Sequence, residues 1–207
     1  MRVDLDERAL LCDLMLEYGP DAPTLCEGWA VRDLAGHLVL RERRPDAAPG
    51  VLIPALRGRA DRVQNEYAAR WPEVVNLVRT GPPRWMPTSL PSVGKVANTA
   101  EFFVHHEDVR RAQQGWRPRP ADAERDRALW GAVGRMAWLP LRKAPCGVRM
   151  HAEGHGEIVA RKGTPSVRID GAPGELLLFA LGRDQYQLDF EGDPDLVRAL
   201  TSSERKL

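Results

Sequence analysis

His37, Glu101 and His105 are the residues whose types and spacing could do chemistry together. Glu101 and His105 stand at i and i+4 in TAEFFVHHEDVRRA, so on a helix they share one face. His37 flanks Leu34 and Leu38 at the matching place on an earlier amphipathic segment. Two imidazoles and one carboxylate from facing helices make a compact N,N,O donor set. That set suits zinc with a coordination position left open, and it also accommodates Fe(II), Ni(II) or Mn(II). Asp108, one turn beyond His105, is placed to accept a hydrogen bond from an imidazole and orient it. His106 is turned about 100° from His105 and points elsewhere. On spacing alone, HHEDVRR reads equally well as a solvated face laced with local ion pairs, and His37 as an edge-of-core histidine.

The elements that must position these side chains follow from periodicity. A first helix is expected from about Leu5 to Tyr18, with Asp4 as its cap, Glu7 completing a capping box, and Leu10, Leu11, Leu14, Met15 and Tyr18 as its apolar stripe. A second runs from about Ala30 to Arg43, burying Val31, Leu34, Ala35 and Leu38. The small Ala35 and Gly36 let a neighbouring helix approach. A third helical region, 51–79, is interrupted near Pro54 and Pro72, and the proline-rich GPPRWMPTSLPS that follows is irregular. Helices from about Val93 to Gln114 and from about Ala121 to Pro140 complete an antiparallel bundle.

After Pro145 the pattern changes. VRMHAE, EIVARK and SVRID alternate as short strands, GELLLFALG has helical length, YQLDFEG reads as a strand and PDLVRAL as a last helix. The fold class is therefore α+β, with a helical bundle over 1–145 and a small α+β domain over 146–207.

Composition narrows the function. With 30 basic and 29 acidic residues the net charge is +1, and neither a basic stripe nor an aromatic RNA motif is present, so no nucleic-acid partner is expected. No apolar run reaches the length of about 20 residues needed to span a bilayer. The acids of MRVDLDERALLCDLMLEYG argue against a secretory leader. Cys12, Cys26 and Cys146 are an odd set without a CxxC pair, read as reduced packing thiols in a cytoplasmic protein.

CEGWAVRDLAGHL (26–38) and EFFVHHEDVRRA (101–112) resemble the mycothiol-dependent maleylpyruvate isomerase family, part of the wider DinB-like group of metal-binding four-helix bundles. The resemblance implies that His37, Glu101 and His105 bind the metal. It also implies a C-terminal domain similar to sterol carrier proteins, with PGELLLFALGR (173–183) as its recurring helix and Arg183 as the catalytic arginine. Mycothiol, a low-molecular-weight thiol, is the implied cofactor, with its sulfur on zinc and a small electrophile as substrate. Arg110, Arg111 and Arg183 are then candidates for binding carboxylates of cofactor or substrate. The chain departs from the isomerases proper in continuing His106-Glu107-Asp108, which is similar to a sibling subfamily and gives no support to maleylpyruvate as the substrate. The expected activity is a metal- and thiol-dependent S-transfer or isomerisation. The alternatives are a non-catalytic module that binds metal and a small molecule, and a metal-dependent hydrolase that needs no thiol.

Overall fold

The computed structural model describes residues 2–51, 53–83 and 95–205. The chain forms two compact units, Arg2–Trp116 and Arg117–Leu207. Most of the proline-rich segment after Gly81, and the first two residues of the helix expected from Val93, lie outside the described residues.

The first unit is helical. Helix α1 (Val3–Tyr18) lies along α5 (Lys95–Arg111), and α2 (Val31–Arg43) lies along α3 (Arg57–Ala68). Helix α4 (Glu73–Thr80) packs on both α1 and α2. The break between α3 and α4 falls at Pro72, which caps α4. Helix α2 forms where its apolar residues recur every three to four positions, and Val31, Leu34, Ala35 and Leu38 are all fully buried. At its start Asp33 accepts a hydrogen bond from the Ala30 N–H at 2.9 Å. Gly36 is the point of closest approach. A Cβ there would sit 2.5 Å from the Gln64 carbonyl oxygen and 3.2 Å from the Ala68 nitrogen, so α3 rests directly on the backbone of α2.

Helix α1 is rotated from the expected stripe. Leu11, Cys12 and Met15 are buried, whereas Leu10 and Tyr18 are exposed. The rotation brings Glu7 and Arg8 inside. Glu7 is not the second half of a capping box; it meets His106 of α5 at 2.9 Å. Arg8 donates to Glu42 of α2 and to the Val78 carbonyl of α4, and its guanidinium lies 4.0 Å over the Phe102 ring. Asp4 pairs with Arg2 and caps nothing, because the helix already begins at Val3.

The second unit opens with α6 (Ala123–Met136), whose first turn is capped by Asp122. Strands β1 (Gly147–Ala152), β2 (Gly156–Arg161), β3 (Ser166–Asp170) and β4 (Asp189–Glu191) form one sheet in the order β2-β1-β3-β4. β1 pairs antiparallel with β2 and parallel with β3, and β3 pairs antiparallel with β4. Helix α7 (Pro173–Ala180) is buried along its whole length and packs on α6, while α8 (Pro194–Thr201) starts from an Asp193 cap. The class is mixed α+β, and the strands fall where alternation places them. The compact units, however, divide at 116/117, whereas the change of pattern puts the boundary at 145/146. Helix α6 buries Leu129, Ala132 and Val133 and packs on α7, so it groups with the sheet.

Candidate metal centre

The site begins with the loop between α1 and α2. Thr24 Oγ1 accepts the Cys26 N–H at 3.1 Å and donates to the Trp29 carbonyl at 2.8 Å, while Gly28 takes φ +77°, a conformation that suits glycine. The Leu25 N–H reaches across to the Asp108 carbonyl on α5 at 3.0 Å, fastening the loop to that helix. Trp29 is thereby held with its ring centroid 5.0 Å from that of His37.

His37, on α2, and Glu101 and His105, on α5, converge as the sequence spacing requires. Their ligand atoms all lie within 4.8 Å of one another, and the two imidazole centroids are 5.7 Å apart. His37 is 8% exposed. Burial first, then the neighbouring His105 and Arg41, lower its pKa to about 3, so its imidazole is neutral and keeps a lone pair at neutral pH.

Glu101 is shared. Its Oε1 is 4.0 Å from His37 Nε2, and its Oε2 is paired with the guanidinium of Arg41, one turn beyond His37. Arg41 also donates to Asn98 Oδ1 at 3.3 Å, and burial lowers its pKa to about 10, still far above neutrality. One carboxylate oxygen is therefore occupied by Arg41, and the other faces the histidines. Nothing in the spacing of the sequence had singled out Arg41.

His105 is oriented by Asp108. Its Nδ1 lies 2.9 Å from Asp108 Oδ2, and the acceptor character of a carboxylate assigns the proton to Nδ1 and leaves Nε2 as the ligating atom. Asp108 thus takes the orienting position expected for it. Cys26, read from sequence as packing, stands beside the same pair, its Sγ 3.2 Å from Asp108 Oδ2 and 3.9 Å from His105 Nδ1.

The donor set fits a divalent ion. Two imidazoles, that of His37 kept neutral by burial, and one carboxylate oxygen converge from two helices, and a carboxylate orients the imidazole of His105. His106 points away from this cluster, as its angle around the helix requires, and bonds Glu7. The rest of HHEDVRR is not a solvated face. His106, Glu107, Asp108 and Arg111 are all buried. Arg110 donates to both oxygens of Glu107 at 2.9 Å. Arg111 donates to Glu107 at 2.6 Å, with its guanidinium 4.6 Å over the Trp116 ring. The two arginines expected to bind cofactor are therefore engaged by Glu107 within the bundle. Arg183 lies in the second unit just beyond α7, half-buried, donating to the Leu181 carbonyl at 2.8 Å.

Two solved structures share this fold. The crystal structure of the mycothiol-dependent maleylpyruvate isomerase aligns over 91% of this chain and 90% of that chain, with a TM-score of 0.61 and 12% sequence identity. A histidine-to-alanine mutant of that isomerase aligns over the same shares, with a TM-score of 0.54 and 14% identity. At such identities the likeness is one of fold. No protein-family model matches the chain, and no curated protein does.

Proposed function

We propose that this protein binds one divalent ion, zinc in the cell, through His37, Glu101 and His105, and works with a low-molecular-weight thiol on a small electrophile. The convergence of these three donors from α2 and α5 carries the reading. The shared fold with a mycothiol-dependent isomerase supports a thiol partner, with mycothiol the first candidate. When bound, the metal supplies a positive charge that lowers the pKa of a coordinated thiol.

The chain's own residues do the rest. His37 is kept neutral by burial, and His105 is held in one tautomer by Asp108. Arg41 occupies one oxygen of Glu101, which favours a single metal–carboxylate bond and leaves coordination positions for ligands from solution. The resemblance to the isomerase family makes Arg183 the candidate catalytic arginine of the second unit. Cys12, Cys26 and Cys146 form no disulfide among the described residues, which suits work in the reducing cytoplasm.

The test is metal analysis of protein purified without a histidine tag, combined with turnover of an electrophile such as monobromobimane in the presence of mycothiol. About one equivalent of metal is expected, together with thiol-dependent consumption, both lost in His37→Ala and His105→Ala. Native metal content in both variants overturns the ligand assignment, and turnover that ignores the thiol overturns the thiol-dependent reading.

A further inference from the structure

A second triangle of donors shares a corner with the first. Cys26 Sγ, His105 Nδ1 and Asp108 Oδ2 are separated by 3.2 Å from sulfur to oxygen, 3.9 Å from sulfur to nitrogen and 2.9 Å from nitrogen to oxygen. Zinc bond lengths of about 2.0–2.3 Å at tetrahedral angles place neighbouring ligand atoms about 3.3–3.7 Å apart. The three edges straddle that range, and each reaches it with a shift of about half an ångström. The side chains are also anchored. Asp108 is fully buried, its own carbonyl accepts the Leu25 N–H at 3.0 Å, and the Cys26 N–H is held by Thr24 at 3.1 Å.

We propose that Cys26, His105 and Asp108 form a second, thiolate-containing position for a soft divalent ion, alternative to the one at His37, Glu101 and His105. The donor types decide which ion each position takes. The first offers only nitrogen and oxygen, whereas the second adds a sulfur, which favours zinc and above all cadmium. Binding there releases the Cys26 thiol proton to solvent and moves the His105 proton from Nδ1 to Nε2. Neutral imidazole has one lone pair, so His105 serves one position or the other at a time. The two positions are therefore mutually exclusive, and the chain holds one ion in either case. The exclusivity rests on the ligand set proposed above, but the position shares only His105 with that set, so the cadmium band itself tests it without His37 or Glu101.

The experiment adds cadmium to the metal-free full-length protein with no other thiol present and follows the ultraviolet thiolate-to-cadmium band. The wild type is expected to develop the band and saturate at about one equivalent, and Cys26→Ser to develop none. His37→Ala is expected to keep it, because the second position does not need His37. Cys26→Ser should still bind one cobalt ion at the nitrogen and oxygen ligands, which shows that it is folded. Absence of the band in the wild type overturns the proposal, as does its persistence in Cys26→Ser, which would place the ion on another cysteine. Loss of metal-dependent turnover in His37→Ala with the cadmium band intact separates the two positions directly.

Discussion

Glu7 of α1 meets His106 of α5 at 2.9 Å with both side chains buried, beside but turned away from His105. Adjacent histidines thus face different surroundings, His106 the bundle interior and His105 the candidate metal centre. Glu7→Ala or His106→Ala removes one side of this buried contact and should cost about 1–3 kcal/mol in urea unfolding. Metal content of the folded protein should remain at the wild-type level in His106→Ala. A proportionate loss of metal would show that His106 belongs to the metal centre.

Asp108→Asn tests the orienting hydrogen bond. The amide keeps the size of the side chain but no longer holds the His105 proton on Nδ1 by charge. Metal affinity measured by chelator competition should fall about 10- to 100-fold with little change in helicity. Unchanged affinity would show that His105 is oriented by its packing alone.

Gly36→Ala sets two effects against each other. Alanine favours a helix interior over glycine by about 1 kcal/mol. The added Cβ, however, would lie 2.5 Å from the Gln64 carbonyl oxygen, a backbone atom that cannot swing aside. Overlap should win, lowering stability by about 1–3 kcal/mol. A stabilised variant in urea denaturation would mean that α2 and α3 separate without cost.

Acid should weaken the metal-free protein through His37. Its unfolded imidazole takes up a proton near 6.5, while the folded one stays neutral until about 3. The unfolded state then binds more protons in that window. The contribution of His37 is complete above about pH 6.5 and is lost progressively as the pH falls toward 3. Urea midpoints between about pH 7 and pH 4 should decline less steeply in His37→Gln, which carries no titrating group. Parallel profiles would show that His37 protonates freely in the folded state.

Helix α2 and the E-x-x-x-H of α5 were legible in the sequence because their apolar neighbours recur with the helical period. His37, Glu101 and His105 then followed as side chains bordering the buried faces. Helix α1 was legible as a helix but not in its orientation. The apolar stripe omits Glu7 and Arg8, and spacing makes Glu7 half of a capping box, yet each is matched inside by a partner far along the chain, His106 or Glu42. The inward turn of Glu107 and Arg111 was hidden differently, because their ion pair is local and spacing does not distinguish a buried pair from a solvated one. Cys26 stands 79 residues from His105 and joins it only through the closure of a loop onto α5, which no local pattern encodes. The onset of strands after Pro145 was plain from alternation. The membership of α6 was not, because its apolar face looks the same whichever helix it meets.

The pairing of Arg41 with Glu101 has an electrostatic consequence. The guanidinium and the carboxylate cancel in charge, and His37 is neutral. A divalent ion arriving there would therefore meet no surplus of negative charge from these three side chains. Charge brought into a largely buried setting is costly to leave unbalanced. An anionic ligand from solution would offset the charge of such an ion, whereas a neutral one would not. On charge alone, a filled centre would favour a thiolate over the corresponding thiol.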